Sequence, residues 1–420
     1  MRAAAVPAAD PKPRSIATAA SAASVIIVGA GPVGLTVALR LAAHGFSCVL
    51  VESQAPEATR ADRRLLALSR GTLDILRPLL ADELPMAPIG DVWVSSAGEF
   101  GATHLSALDF DGAALGATVY YGDLVQALTA AADAQPQIAW RRPARIAAIE
   151  QTPSGVVVRL DQGEALRACC VIHAEGRADS GLPRAQGPAA IIAEIQLAGP
   201  AADAAFERFT RAGPLALLPA PAPAGAPAWG LVWCVEDETA AHRCAALGDA
   251  EFVRHLQAQL GLRRARVVQA GRRRVVLLPA QARARVHAFR QVWLGNAAQT
   301  LHPVAGQGFN LGVRDVAVLG ECLAAARAGR ATPADAPATI PEAAGDEQFC
   351  AGVPAALARY AQRRVRDRAA IGSVTRWLPA VFASRLAPLV AARGAALGAL
   401  DLLPPLRRQW AHLLMFGVRS

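Results

Sequence analysis

The stretch of residues 292–315, VWLGNAAQTLHPVAGQGFNLGVRD, constrains the fold more than any other part of the sequence. It begins as a short apolar strand that breaks at Gly295. The loop that follows contains Pro303, Gly306, Gly308 and Gly312. From about Gly312 onward, the spacing of the apolar residues predicts a helix. Closely spaced glycines let a backbone pass very near a flat or phosphorylated ligand, and the N-terminus of a helix would point free N–H groups at that ligand. The alternative is a plain glycine-rich turn between a strand and a helix.

A second glycine motif lies near the start of the chain, where the sequence predicts a strand from Val25 to Val28. The next residues are Gly29-Ala30-Gly31-Pro32-Val33-Gly34, followed by a predicted helix to about His44 and a second strand that ends at Glu52. In such a motif the first glycine permits a tight turn, the second lets a pyrophosphate approach and the third lets the helix pack on the strand. Glu52 is placed to accept hydrogen bonds from ribose hydroxyls. The sequence therefore predicts a site for an adenine dinucleotide.

Residues 295–315 resemble the second flavin-binding motif of the single-component aromatic hydroxylases, and they are most similar to the ubiquinone-biosynthesis branch of that family. Asn296 stands where most of the wider class has Asp, and this branch shows Asn. Residues 62–69, DRRLLALS, resemble a family segment that would carry a flavin-contacting arginine onto Arg64. Gln126 falls where the family often has a flavin-contacting Gln or Arg. Further similarity at residues 206–219, 231–234 and 359–364 extends the resemblance over almost the whole chain from Val25 onward.

The resemblance implies an α/β fold, with a Rossmann-like FAD-binding domain of the aromatic-hydroxylase type, an inserted β-sheet substrate domain and C-terminal helices. The expected divisions are a disordered tail (1–23), three parts of the FAD-binding domain (24–89, 118–186 and 281–364), two parts of the substrate domain (90–117 and 187–280) and a C-terminal helical region (365–420). The cofactor-binding residues indicated by the motifs and the resemblance are Gly29, Gly31, Gly34, Glu52, Arg64, Gln126, Gly295, Asn296, Gly306, Gly308 and Asn310. Pro303 and Gly306 are expected to lie near the flavin ring.

The implied chemistry is the hydroxylation of a polyprenylated phenol. NAD(P)H would reduce FAD, and the reduced flavin and O2 would form a C4a-hydroperoxide that transfers a hydroxyl group to the ring. No metal-ligand cluster and no paired nucleophile and base occur in the sequence, so the chemistry must come from a cofactor. No side chain is assigned as the base that deprotonates the phenol. Two alternatives remain: a related hydroxylase that acts at another ring carbon or on a soluble aromatic, and a catalytically inactive flavin-binding scaffold. Glu175 favours the scaffold, because the wider family has Asp in the corresponding segment.

Charge and apolar patterning suggest where the protein acts. The net charge is +9, but the arginines are scattered and aromatic residues make up only 5%, which argues against a nucleic-acid partner. No uncharged apolar run is long enough for a membrane span. Residues 404–419 predict an amphipathic helix that lies on a membrane or on a partner protein, with packing on the protein's own core as the alternative. We therefore expect a cytoplasmic protein that associates peripherally with the inner membrane, with a multiprotein ubiquinone-biosynthesis complex as a further partner.

Two smaller expectations concern the cysteines and the region after the central helix. The seven cysteines show no paired spacing, which predicts buried free thiols in a reducing compartment. Residues 330–350 are rich in Ala, Pro and Gly and are expected to form a mobile loop or an insertion.

Overall fold

The computed structural model describes residues 23–55, 61–80, 83–176, 188–222, 227–235, 237–261, 265–278, 281–301, 306–329, 342–384 and 386–418. Pro303 and most of the predicted N-terminal tail lie outside these residues. Ala23, which was assigned to that tail, is instead the first residue of a strand.

The strands, in chain order, are β1 (Ala23–Val28), β2 (Cys48–Val51), β3 (Leu65–Ser69), β4 (Ala87–Ile89), β5 (Asp91–Ser96), β6 (Ala102–Ser106), β7 (Gly116–Tyr120), β8 (Ile138–Arg141), β9 (Ile146–Thr152), β10 (Gly155–Leu160), β11 (Ala165–His173), β12 (Ala189–Ala198), β13 (Ala204–Thr210), β14 (Gly213–Ala220), β15 (Ala228–Val235), β16 (Arg266–Ala270), β17 (Arg274–Leu277), β18 (Gln281–Ala282), β19 (Gln291–Trp293) and β20 (Gln299–Thr300). The α-helices are α1 (Pro32–Ala43), α2 (Arg70–Leu76), α3 (Tyr121–Asp133), α4 (Glu238–Ala245), α5 (Asp249–Leu260), α6 (Gln307–Arg327), α7 (Glu342–Ala383), α8 (Ala387–Leu402) and α9 (Pro404–Phe416).

The first sheet has the order β8-β2-β1-β11-β10-β9, and β19 also pairs with β11. Strands β8, β2, β1, β11 and β19 run parallel, whereas β9, β10 and β11 form an antiparallel meander. Strands β1 and β2 are almost entirely apolar and buried, as expected for parallel strands that are covered on both faces. Helices α1, α3, α6 and α7 contribute to the core on one face of this sheet.

The second sheet has the order β16-β12-β15-β14-β13-β5-β6, and β17 also pairs with β12. Helices α4 and α5 cover one face of it, where Trp229, Trp233 and Phe252 are buried. A small third sheet, β3-β7-β4, connects the two larger sheets. There the Thr118 hydroxyl donates to the Pro219 carbonyl oxygen, and Leu65 packs against Gly230. The predicted fold class, a Rossmann-like unit with an inserted β-sheet and C-terminal helices, is confirmed.

Two predicted helical boundaries are wrong. Helix α6 begins at Gln307, five residues before the predicted start at Gly312. Residues 342–350, which were expected to belong to a loop, form the start of α7. Residues 330–341 of the same predicted loop lie outside the described residues.

The last helix packs on the protein itself. In α9, Ala411 and Met415 are buried against Leu105 and Leu115. The Arg407 guanidinium forms an ion pair with Asp109 at 3.0 Å. Within the described part of the chain, no single helix has the length and apolar character that crossing a membrane requires. Helices α8 and α9 meet both criteria only as a pair, and the chain bends by 100° between them.

The prediction that all cysteines are free is wrong for two of them. Cys169 on β11 and Cys350 on α7 form a disulfide with their Cα atoms 4.8 Å apart. The remaining five cysteines are free, and four of them are buried. Spacing could not show this pair, because 181 residues separate the two cysteines.

Arg290 joins the edge of the first sheet to α7. Its side chain is among the largest fully buried ones, at 1% exposure. The guanidinium donates to the carbonyl oxygens of Thr152 and Cys169, both at 3.0 Å, and of Cys350 at 2.7 Å. It therefore connects the β9–β10 hairpin, β11 and α7.

A buried ion network holds α6 against α7. Asp315 on α6 accepts from Arg364 on α7 at 2.6 Å, and Asp367 on α7 forms ion pairs with Arg314 at 3.1 Å and with Arg364 at 2.7 Å. Asp367 also accepts a hydrogen bond from the backbone N–H of Val418 at 3.0 Å, which holds the segment after α9 against α7. Burial opposes the charge on Asp367, but Arg314 and Arg364 outweigh it and hold the pKa of this carboxyl below its usual value.

We expect Asp367→Ala to destabilise the protein by about 3–5 kcal/mol, because it leaves two buried arginines without their shared carboxylate. The measurement is the free energy of unfolding from denaturant titration. Glu150→Ala is the control, since the Glu150–Arg159 pair is more than half exposed on both sides and should cost less than about 1 kcal/mol. Equal destabilisation by the two substitutions would show that the buried network does not hold α6 and α7 together.

Candidate active site

The first glycine motif forms a tight crossing at the carboxyl end of β1. Gly29 has a φ of +93°, and a Cβ atom there would meet the backbone of Glu175. A Cβ on Gly34 would overlap the Gly29 carbonyl oxygen, so α1 packs on its own preceding turn. Gly31 is the N-cap of α1, and its backbone faces the Tyr121 hydroxyl. The N-terminus of α1 therefore lies beside the Tyr121 hydroxyl, and its free N–H groups are of the kind that bind a phosphate.

Glu52 is fixed at the end of β2, next to this turn. Its carboxylate accepts from the backbone N–H of Ala30 at 2.7 Å and from that of Gln54 at 2.8 Å. A pocket of about 260 Å³ opens beside it. The pocket is lined by Ala30, Glu52, Gln54, Ala55, Val125, Gln126, Thr129, Ala130, Asp133 and Arg142. The structure thus brings Glu52 and Gln126, which are far apart in sequence, to the same pocket.

Arg64 reaches the same region through Tyr121. Its guanidinium lies 4.5 Å from the centre of the Tyr121 ring, whose hydroxyl is beside Gly31. Asp62 holds Arg64 in place with a 2.7 Å ion pair. Burial opposes the charge on Asp62, but the hydrogen bonds and charge of Arg64 keep the pKa of this carboxyl below its usual value.

The second glycine motif packs directly on the first. A Cβ on Gly295 or on Gly312 would come within 3.1 Å of the same methyl group of Val33, in the first turn of α1. Gly295 has a φ of +55°, and Asn296 beside it is exposed. The contact at Val33 therefore places the two motifs next to each other.

Asn310 anchors the start of α6 to β3. Its amide nitrogen donates to the carbonyl oxygens of Ala67 at 2.9 Å and Gly306 at 2.8 Å, and its oxygen accepts from the Ser69 N–H at 2.9 Å. Gly306 is the left-handed N-cap of α6, with a φ of +59°. Gly308 lies in the first turn of α6, and no atom of the described residues lies within 4 Å of a Cβ placed there. Asn310 thus positions this loop, while Gly308 faces open space.

Glu175 follows β11 and contacts His173. Its carboxylate lies 3.2 Å from His173 Nδ1, and His173 Nε2 lies 2.9 Å from the Gln291 side-chain oxygen. The ring of Trp293 stacks on His173. Glu175 is therefore supported by the neighbouring strand β19.

Comparison with known proteins fits this geometry. The FAD-binding-domain family matches residues 22–335. Ubiquinone hydroxylase UbiL of Rhodospirillum rubrum is 32% identical over 92% of this chain and 88% of its own length. The 3-demethoxyubiquinol 3-hydroxylase of Escherichia coli is 30% identical over 92% of this chain and 96% of its own length.

The chain belongs to the ubiquinone-biosynthesis family of FAD-dependent hydroxylases.

Solved structures share the fold of this family. PqsL of Pseudomonas aeruginosa, in complex with 2-aminobenzoylacetate, has a TM-score of 0.69 at 21% identity, and the match covers 90% of this chain and 99% of PqsL. The p-nitrophenol 4-monooxygenase PnpA of Pseudomonas putida has a TM-score of 0.67 at 16% identity and covers 95% and 99% of the two chains. The predicted family and the predicted cofactor, FAD, are confirmed, and NAD(P)H is the usual reductant of the family.

The described residues fit an FAD-dependent hydroxylase. Side chains on Gly29 and Gly34 would overlap the neighbouring backbone, and Glu52, the acidic residue after β2, borders a pocket. A second helix N-terminus, that of α6, is uncrowded at Gly308. The sequence did not predict two features of the site: the Tyr121 side chain and the β3 backbone that binds Asn310. The only signal for Tyr121 was its position at the start of a helix that follows a strand.

We expect Gly308→Val to lower the affinity for FAD at least tenfold, because its side chain would occupy open space at the N-terminus of α6 where the bound ligand passes close to the backbone. FAD binding is measured by fluorescence titration of the apoprotein. Gly398→Val is the matched control: Gly398 also lies in a helix with nothing within 4 Å, but far along the chain in α8.

Similar FAD affinities for the two variants would exclude the space at Gly308 as part of the cofactor site. Thermal unfolding of both apoproteins separates this effect from the small cost of valine in a helix.

Proposed function

We propose that this protein hydroxylates a prenylated phenol ring in ubiquinone biosynthesis, using FAD, NAD(P)H and O2. The observation that carries the proposal is the packing of both glycine motifs on Val33, which brings the motif beside Glu52 next to the motif that leads to Gly306. The two curated relatives, which match over 92% of this chain and are both named as hydroxylases of ubiquinone compounds, support the substrate class.

We assign a part of FAD to each group of residues. Glu52 and Gln126 would hold the adenosine end in the pocket beside β2. Gly29, Gly31 and Gly34 would let the pyrophosphate reach the N-terminus of α1, with Arg64 and Tyr121 beside it. Gly295 and Asn296 would follow the middle of the molecule, and Gly306 and Gly308 would face the flavin ring.

When bound, FAD reduced by NAD(P)H supplies the activated oxygen for the reaction. The chain contributes position, a dry environment and electrostatics. The N-terminus of α6 would present its positive dipole end to the bound ring and would stabilise negative charge there. Asn310 holds that N-terminus against β3, so its N–H groups need no rearrangement during the reaction.

We expect the purified protein to bind about one non-covalent FAD per chain and to couple NAD(P)H oxidation to hydroxylation of a prenylated phenol. Product mass and O2 uptake measure the coupling. Oxidation of NAD(P)H that no phenol stimulates would favour the scaffold alternative, and a product hydroxylated at another ring carbon would assign a different step of the pathway. A colourless protein that cannot be reconstituted with FAD would refute the proposal.

The substrate class requires access to a lipid phase, and we propose that the junction of α8 and α9 provides it. Leu402, Leu403 and Leu406 are 79%, 49% and 46% exposed at this bend. Arg408 is exposed beside them, whereas Arg407 is paired with Asp109. Each leucine contributes roughly 1.5–3 kcal/mol when fully buried, so three of them give reversible association.

We expect the triple substitution of Leu402, Leu403 and Leu406 by Ser to reduce flotation of the holoprotein with anionic phospholipid vesicles, while FAD content stays unchanged. Substitution of Val365, which is 59% exposed on α7, by Ser is the control for loss of an exposed apolar side chain elsewhere. Unchanged flotation of the triple variant would exclude this junction as the membrane contact. Loss of binding to other proteins of the pathway, with flotation intact, would assign it to a protein complex instead.

A further inference from the structure

The second sheet has one closed face and one partly open face. Phe206, Leu217 and Leu231 point to the closed face beneath α4 and α5 and are buried. On the opposite face, β-pairing places a row of residues side by side across five strands. The row consists of Val94, Glu207, Ala216, Val232 and Ile192, and every member is partly accessible. This row, called the wall below, is therefore apolar except for Glu207. The other carboxylate on the open face, Glu194 on β12, contacts the Tyr120 hydroxyl.

Contacts at both ends of the wall indicate that it faces the residues assigned to the cofactor. At one end, Leu65 of β3 packs on Gly230. Ala67 lies two residues further along β3, and a Cβ atom on Gly306 would come within 3.0 Å of it. At the other end Phe382 of α7 stacks on Phe209 with ring centres 3.9 Å apart. Glu207 lies two residues from Phe209 on β13, between these two contacts. Because Glu194 contacts Tyr120, Glu207 is the acidic residue available to a planar ring bound between Gly306 and the wall.

The Glu207 carboxylate has no compensating charge. Among the described residues, no hydrogen bond or ion pair reaches it, and Arg208, the next residue, points the other way to the Gln259 carbonyl oxygen and to Ser95. Burial raises the pKa of Glu207 to about 8. The nearest titratable neighbour is Cys234 on β15, and burial raises the pKa of that thiol as well. On β5, β14 and α7 the neighbours are Val94, Ala216 and Phe382, which do not titrate.

We propose that the Glu207 carboxylate binds the hydroxyl group of the phenolic substrate and accepts its proton. This assignment rests on the hydroxylase function proposed above, which left the base unassigned. The position on an otherwise apolar wall gives the phenol one polar partner and orients the ring.

The proton transfer balances without any additional reactant. The phenol O–H bond breaks, its proton forms an O–H bond with the Glu207 carboxylate, and the phenol becomes a phenolate. No electrons are exchanged in this step. The phenolate oxygen donates electron density to the ring, which favours attack on the activated oxygen by the ring carbons ortho and para to it. A carboxyl whose pKa lies near the working pH is suited to this role.

The test uses the FAD holoenzyme, NADH or NADPH, and two probes: a short-chain 2-prenylphenol and its O-methyl ether. Glu207→Gln keeps the shape and one hydrogen-bond acceptor but cannot take up a proton. We expect its rate of product formation to fall by about 100-fold, the usual contribution of a general base. NAD(P)H oxidation should continue, with hydrogen peroxide replacing the hydroxylated product. In the wild type, product formation should rise with pH through about 8, and the variant should lack this rise.

Glu207→Leu tests binding without relying on turnover. The wild type should bind the phenol more tightly than its ether by about tenfold or more. Glu207→Leu should bind the two compounds with similar affinity. Glu194→Gln is the matched control, because Glu194 lies on the same face of β12 but contacts Tyr120. Both Glu207 variants should fold at least as stably as the wild type above pH 5, since a carboxyl with a raised pKa opposes folding once it ionises.

The proposal is wrong if Glu207→Gln retains coupled product formation with the wild-type pH profile, or if Glu194→Gln and Glu207→Gln lose it equally. A wild-type enzyme that hydroxylates no prenylated phenol would instead refute the proposed function. In that case the phenol-to-ether preference still decides whether Glu207 binds a phenol.

Discussion

Val33 sits where two distant parts of the chain meet, and the geometry of the site depends on the contact it makes. A Cβ atom on Gly295 or on Gly312 would come within 3.1 Å of a Val33 methyl group, which would then have to move. Packing at this density leaves no room for a methyl group to be added without displacement. The contact brings the first turn of α1 against α6, two helices whose N-termini each favour negative charge. Glu52 is then positioned by the backbone of Ala30 and Gln54, and the loop at Gly306 is positioned by Asn310.

The sequence predicted the parts of the site whose chemistry is local. Gly29, Gly31, Gly34 and Glu52 could be recognised because a strand, a turn and a helix follow one another within thirty residues. The start of α6 could not be predicted in this way, because glycines disfavour helices in isolation and the predicted start was displaced to Gly312. In the structure the left-handed N-cap at Gly306 and the hydrogen bonds of Asn310 to β3 begin the helix five residues earlier. Those bonds span more than 240 residues and leave no periodic signal.

Similar limits apply to Asn310 and to the buried charges. Asn310 was predicted as a ligand residue, but its side-chain groups bind Ala67, Ser69 and Gly306, so its contribution to cofactor binding would act through the loop. Arg314 and Arg364 belong to segments recognised by resemblance, yet only the packing of α6 on α7 shows that both meet Asp367. Glu207 likewise looked like an ordinary strand residue, and its meaning depends on which face of the second sheet is covered by α4 and α5. These roles arise from tertiary contacts and not from residue type.

The first sheet can be completed only late in synthesis on the ribosome, because its strand β19 follows β11 by more than a hundred residues. Strand β19 pairs with β11, and Arg290 binds carbonyl oxygens on the β9–β10 hairpin, on β11 and on α7. The ribosome makes strands β12 to β17 of the second sheet between β11 and β19, so one edge of the first sheet stays unpaired during that time. A nascent chain that stops before residue 290 would contain the whole dinucleotide motif but would lack the closing strand and the arginine that secures it. Unpaired strand edges of this kind can pair with other chains, so the interval between β11 and β19 is the stage of synthesis at which the first sheet is most open to mispairing.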